Sequence, residues 1–330
     1  RFIFYVILFV VIDVFIQYLF GKDLFGTEYN LQHGKRLSGP FGDELVVGAY
    51  LSKIIFIGLM YLNYLKKNFF YYISYLLILL VTIFITQERS AFFMSLISSL
   101  FFIIFFLINL KYKMVFFTSI LLVLVLFIKF DHHSSYKYID QTISQLGISK
   151  TKLNRGYTDL AYPIYPGGGF VKHEINNFWD SRYGAHFLTA YEIFLDNKII
   201  GSGVKTFRIK CSLSKYENLK SNYIDRRCNT HPHNLYFELL AETGLLIFVP
   251  FCILILFLVL KNIKSLIIKN NYINSLLNLC LLIILFFPIQ TTGSIFSTFN
   301  GAFYWIGLAV ICHNMKLNFF RHSLQKGQNR

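Results

Sequence analysis

Acidic residues are scarce in this chain: 17 Asp+Glu stand against 32 Lys+Arg in 330 residues, a formal net charge of +15. No Asp-x-Asp occurs anywhere, so the carboxylate pair of a divalent-metal sugar-nucleotide site is missing. No Gly-x-Ser-x-Gly marks a nucleophile elbow. The triple glycine of "YPIYPGGGF" (162–170) is followed by no Gly-Lys-Ser/Thr, which excludes a phosphate-cradling loop. There is no internal repeat, no low-complexity tract and no signal peptide with a cleavage site. No basic module stands apart from the apolar segments, which argues against nucleic acid as a partner. Phosphate chemistry in such a chain has to lean on arginine.

What the chain does have is apolar length. Hydrophobic residues make up 55% of it and its mean hydropathy is +0.51, beyond an ordinary soluble domain. Runs such as "FIFYVILFVVIDVFIQYLF" and "LLIFVPFCILILFLVL" match the ~20 residues that span a bilayer as a helix. The expected fold is an all-α polytopic membrane protein. It is a helical bundle of about eight spans at 2–20, 44–63, 69–87, 90–110, 112–130, 234–260, 273–288 and 292–313, with one large outer loop domain. The division reads as five membrane helices in 1–130, a large loop in 131–233, three membrane helices in 234–313 and a basic tail in 314–330. Arg1 opens directly into an apolar run, so the sequence reads as a fragment lacking upstream spans.

Basic residues orient the spans by the positive-inside rule. Lys66 and Lys67, Lys111 and Lys113, Lys261, Lys264 and Lys269 share one side with the tail residues Lys316, Arg321, Lys326 and Arg330. That side is expected to be cytoplasmic. Residues 21–43, the turn near Arg89, the 131–233 loop and the link near Gln290 fall opposite. The excess charge reads either as topology-setting or as attraction to anionic headgroups and diphosphates.

Within the large loop, "DSRYGAHFLTAYEIFLDN" has helical periodicity, with Phe187, Tyr191, Phe194 and Leu195 on the expected apolar face. Asp180 or Ser181 is the expected cap and "NKIIGSG" the stop. Cys252, Cys280 and Cys312 lie in spans as apolar filler. Cys211 and Cys228 lie in the loop, where an oxidising compartment permits a disulfide closing the intervening stretch.

The densest polar cluster is "HPHNLYFELLAETG" at 231–244. Thr230 is the expected cap of a helix beginning at His231, with Pro232 tolerated in the first turn. The helix dipole then disfavours imidazolium at His233, leaving a neutral ring suited to general-base work. A solvated histidine pair and a His-x-His metal site are the alternatives, although His173 and His186 are remote in sequence and lack ligand spacing. Glu238 and Glu242 follow Asn234 at helical spacing on one face, which should line a polar cavity or the interior, paired or not with an arginine. Arg89 sits at a membrane boundary, either snorkelling beside Glu88 or gripping phosphate oxygens. Arg182 opens the amphipathic helix, where a cation opposes the dipole unless an anion is shared there. Lys35 and Arg36 add charge to the "HGKRLSGPFGDE" loop. Asp13, in mid-span, faces missing helices or a polar partner.

These residues resemble the O-antigen ligase/polymerase superfamily. Its hallmark is His-[Asn/Ser/Gln], nine residues, then Gly-x-x-[Gly/Thr/Tyr], at the end of a large periplasmic loop. His233-Asn234, nine residues and Gly244 match it, while Ile247 departs at the last position. "RLSGPFGDE", the boundary Arg89 and "SRYGAHFLTAYEIFLDNKIIGSGVKTF" also resemble family segments. The resemblance implies a cofactor-free, metal-independent glycosyltransferase of the bacterial inner membrane, with its active site on the periplasmic side. Its partners would be an undecaprenyl-diphosphate-linked glycan donor, a lipid A-core or other glycan acceptor, and membrane lipids. By position, His233 would activate the acceptor hydroxyl, and Arg89 and Arg182 would stabilise the diphosphate, with Arg36 a helper. His231, Asn234, Glu238, Glu242 and Gly244 would support them. A polymerase of the same superfamily is the nearest alternative, and a lipid-linked sugar flippase or transporter the alternative of another class.

Overall fold

A computed structural model describes residues 1–29, 36–107, 109–130, 138–139, 142–143, 178–221 and 224–328. The 162–170 turn-rich stretch, His173, Lys35 and Arg330 lie outside the described residues. The described part is helical, with no strand among the described residues. Its helices are α1 (Phe2–Phe20), α2 (Val47–Tyr64), α3 (Phe69–Ile85), α4 (Arg89–Phe106), α5 (Leu110–Phe130), α6 (Arg182–Asp196), α7 (Phe207–Lys210), α8 (Leu235–Ile267), α9 (Tyr272–Phe286) and α10 (Thr298–Gln328). Each of the eight apolar segments expected from the sequence overlaps one long helix. By length and composition α1, α2, α4 and α8 can cross a membrane; α3 and α9 are shorter apolar helices.

The bundle is organised around α9, which packs against α2, α4, α8 and α10. Its 15 residues are buried on nearly every side, which is why the segment is apolar all round rather than striped. Among its few polar side chains, Asn278 donates to Asn262 of α8 at 3.1 Å and accepts from Asn314 of α10 at 2.9 Å. Asn63 of α2 donates to Asn274 at 2.9 Å. Interhelical amide bonds of this kind hold apolar helices in register where the hydrophobic effect is weak. Asp13 finds its polar partner inside the chain: Oδ1 accepts from the Leu24 amide at 2.9 Å.

A second, smaller core lies outside the bundle. Ala190 and Ile193 of α6 pack there with Phe207, Cys211 and Tyr216, and with Phe237 and Ala241 from the start of α8. Of the two expected caps, Asp180 and Ser181, it is Ser181 that caps α6, its Oγ accepting from the Gly184 amide at 3.1 Å. The buried face of α6 differs from the expected one. It runs through His186, Phe187, Thr189, Ala190 and Ile193, while Tyr191 is exposed. The small residues Gly184, Ala185 and Ala190 let neighbouring segments approach, and this outweighs the apolar stripe. The disulfide between Cys211 and Cys228 is present, with a Cα–Cα distance of 5.2 Å.

The largest departure from the sequence-based reading concerns α8. It begins at Leu235, not His231, and its cap is Asn234, whose Oδ1 accepts from the Tyr236 and Phe237 amides at 2.9 and 3.2 Å. It is also broken at Gly244, where φ is 60° and ψ −170°. The 198–203 segment crosses at this break. Ser202 N donates to Ala241 O, Gly203 N to Glu242 O and Leu245 N to Lys198 O, each at 2.9 Å, and Leu246 N to Ile199 O at 3.0 Å. These bonds stand in for helical ones that the break removes. The 33 residues of α8 would measure about 50 Å as a straight helix, against a ~30 Å hydrocarbon core. The break divides that length into a head that joins the small core and an apolar continuation.

Candidate functional site

The site gathers around the connection between α9 and α10. Asn234 Nδ2 donates to the carbonyls of Pro288 at 2.8 Å and Gln290 at 3.2 Å. Thr292 N donates to His233 O at 2.9 Å, and Thr292 O lies 3.1 Å from His231 Nε2. Ser90 Oγ, next to Arg89 at the start of α4, donates to Thr291 O at 3.1 Å. This one connection therefore joins the histidine segment to the Arg89 end of α4. Asn234 of the His-Asn pair acts twice, as helix cap and as the clasp on this connection.

His233 is not in the first helical turn. It precedes the cap with φ at 60°, a left-handed backbone that few non-glycine residues adopt and that clusters at functional sites. Its Nε2 lies 2.8 Å from Asn229 Nδ2. Asn229 Oδ1 takes the Thr230 amide at 2.7 Å, so the amide nitrogen faces the ring and His233 Nε2 is the acceptor. Its pKa is drawn down to about 3, chiefly by burial, with His231, His186 and Arg182 adding repulsion. The ring is neutral, as expected, but burial rather than the helix dipole is the cause. His231 is also lowered, first by burial and then by Arg208, against the pull of the Thr292 carbonyl.

Two more rings complete the cluster. The His231, His186 and Tyr183 rings have centroids 4.3, 5.4 and 5.7 Å from that of His233. His186, remote in sequence, is thus a direct neighbour. Among the described residues no group of three His, Cys, Asp or Glu side chains is arranged to hold a metal ion.

Glu238 and Glu242 face the interior, each with 1% exposure, and amides and a serine hydroxyl, rather than arginines, donate to them. Glu238 accepts from Ser294 Oγ and from the Ile295 amide at 3.0 Å. Glu242 accepts from the Lys205 and Phe207 amides at 2.6 and 3.0 Å. Glu238 ties α8 to the connection, and Glu242 ties it to the small core. Gly244 is equally structural: a Cβ there would stand 2.4 Å from Ile199 O.

The arginines lie around the same end of the bundle. Arg182 is exposed at the first turn of α6, and its charge reaches His186 and His233. Arg89 opens α4, with Nη1 3.1 Å from Thr142 Oγ1. Glu88, its expected partner, takes the Gly48 and Ala49 amides at 2.7 and 3.0 Å. Arg36 donates to Leu45 O at 3.0 Å and lies 4.0 Å from Glu88. Part of its charge is therefore already compensated.

Sequence reasoning passed over Lys53 and Arg208 and set His186 aside as remote. Lys53 of α2 donates to Asn300 Oδ1 at 2.5 Å within 6 Å of the Phe299, Phe303 and Tyr304 rings. A lysine inside an apolar run was the signal for it. Arg208 of α7 acts on His231, Glu238 and Glu242. His186 carried no signal, since its place on a helix face says nothing of what that face meets.

The O-antigen ligase family model matches residues 74–252. No curated protein matches the chain. The matched stretch is more than half of the chain and includes Arg89, Arg182, His233, Asn234 and Gly244. The chain belongs to the O-antigen ligase family.

Proposed function

We propose that this multi-pass membrane protein, whose family implies an O-antigen ligase-like activity, moves a glycan from undecaprenyl diphosphate onto lipid A-core or a related acceptor. The reaction takes place at the periplasmic face of the bacterial inner membrane. The eight long helices serve as spans, 131–233 as the periplasmic loop and 314–330 as a cytoplasmic tail. The observation that carries this reading is the convergence of His233 and the Arg89 end of α4 on one connection, with Arg182 beside the histidines.

The acceptor hydroxyl replaces Asn229 at His233 Nε2. Its oxygen forms a bond to the anomeric carbon, the bond from that carbon to the diphosphate oxygen breaks, and the hydroxyl proton passes to Nε2. Arg89 and Arg182, with Arg36 assisting, hold the departing diphosphate, where preorganised cations contribute most. A ring with its pKa near 3 is a weak base at neutral pH, and the bound diphosphate raises it by placing an anion nearby. No metal is assigned a role.

His233→Ala in cells should abolish attachment of polymer to lipid A while the protein accumulates normally. Unchanged attachment would reject the assignment. Arg89→Lys should also lose activity, because lysine lacks the planar fork. A null strain that leaves long chains on the carrier supports the ligase, whereas single repeats on lipid A would point to a polymerase. Glycan transfer between lipids by purified protein, undiminished by a chelator, would exclude a flippase and a metal requirement together.

A further inference from the structure

His186 is built into the site in a way that simple packing does not explain. It has no solvent exposure. Its Nδ1 lies 2.9 Å from the carbonyl oxygen of Arg227. A carbonyl only accepts, so Nδ1 carries the proton and, in the neutral ring, Nε2 holds the lone pair. Burial draws its pKa down to about 4 despite the Arg227 carbonyl, with Arg182 and His231 adding repulsion. Nε2 is fully buried and has no hydrogen-bond partner among the described residues. A buried acceptor without a partner is rare in folded proteins and asks for an explanation.

The neighbour supplies one. The His233 ring is 5.4 Å away between centroids and tilted by 45°. Two imidazoles joined by an N–H···N bond of ordinary length have centroids about 5 Å apart, so the two rings stand at close to the separation such a bond needs. The tautomer of His233 supplies the donor. His233 accepts from Asn229 at Nε2, so in the neutral ring its own proton is on Nδ1.

We propose that His186 is a positioning residue for His233, accepting the Nδ1–H of His233 at its own buried Nε2. This inference rests on the reading of His233 as the base. With Nδ1–H committed to His186, the Nε2 lone pair is the one nitrogen of His233 left for the acceptor hydroxyl. When the hydroxyl proton arrives at Nε2, the imidazolium keeps its Nδ1–H bond to His186, and the Nδ1–H of His186 points at the Arg227 carbonyl. The relay ends on a rigid anchor. Arg227 Nε donates to Cys211 O at 2.8 Å, and Cys228 beside it is bonded to Cys211. The charged and titratable groups around His186 include Arg182 and Tyr183 on its own helix, Arg227 at its Nδ1, and His231 and His233 on the facing segment.

The test compares His186→Phe, which fills the space without an acceptor, with His186→Gln, whose Oε1 can accept near the same place. The probe is the full-length protein in detergent, acting on the native lipid-linked glycan extracted from producing cells, with initial rates followed from pH 3 to 9. His186→Phe should lower the rate at least about tenfold and move the acid limb to lower pH, because imidazolium at His233 loses its acceptor. His186→Gln should recover a large part of the rate. His186→Met takes the place of phenylalanine if that variant does not stay monodisperse. Wild-type rate in the Phe or Met variant overturns the inference. So does an equal loss in Gln and Phe with an unmoved acid limb, which would make His186 a packing residue. His233→Ala separates the two readings. If it is inactive while His186→Phe is fully active, this inference alone fails; if it is active, the base assignment itself fails.

Discussion

Gly244→Ala probes how the fold carries the site. Gly244 has φ at 60° and ψ at −170°, a region open essentially to glycine, where a side chain costs about 1–3 kcal/mol in strain. The new Cβ would meet Ile199 O at 2.4 Å and Gly201 N at 2.5 Å. Both are backbone atoms, so relief requires the 198–203 segment to withdraw. The bonds from Ser202, Gly203, Leu245 and Leu246 span that crossing. Losing two of them at about 1 kcal/mol each brings the total to roughly 3–5 kcal/mol. Gly203→Ala is the control, since Gly203 also has positive φ, at 105°, but its Cβ would meet only a side-chain methyl, Thr206 Cγ2, at 3.1 Å. The assay is thermal unfolding of the purified protein in detergent, followed by the surviving monodisperse fraction. Gly244→Ala should lower the midpoint clearly more than Gly203→Ala. Equal midpoints would refute the close crossing and the role given to the motif glycine.

Stability should also depend on pH through His186. Its pKa is about 4 in the fold against ~6.5 in an unfolded chain, so the unfolded state takes up the proton first as pH falls. Its contribution is whole above pH 6.5 and is lost between there and pH 4, by up to about 3 kcal/mol; a wild-type unfolding curve flat across that window would contradict the buried neutral ring. Cys211→Ser with Cys228→Ser opens a loop with a sequence separation of 17, worth about 3 kcal/mol of chain entropy, and should unfold the small core first, which limited proteolysis would detect. Glu238→Ala strands the buried Ile295 amide at about 1–3 kcal/mol and loosens the connection holding His233. Both stability and transfer should fall, with Glu238→Gln milder, and unaltered transfer in the alanine variant would count against that connection.

The sequence alone determined the features that are local or compositional. Runs of apolar residues specify helices in a chain that must satisfy its own backbone, and each expected segment holds one. The cap of α6 was legible to within two neighbours, Asp180 and Ser181, because capping is decided within four residues. The Cys211–Cys228 pair was legible because only two cysteines lie outside the apolar segments. The tertiary structure decided what depends on contacts between distant segments. The start of α8 moved from His231 to Leu235 because Asn234, not Thr230, is clasped by the 288–290 carbonyls while it caps the helix. Glu238 and Glu242 found amides from the α9–α10 connection and the 205–207 segment, which no periodicity announces. His186 became a neighbour of His233 because α6 packs against the head of α8, and the spacing of residues on one helix carries no record of which helix that face will meet.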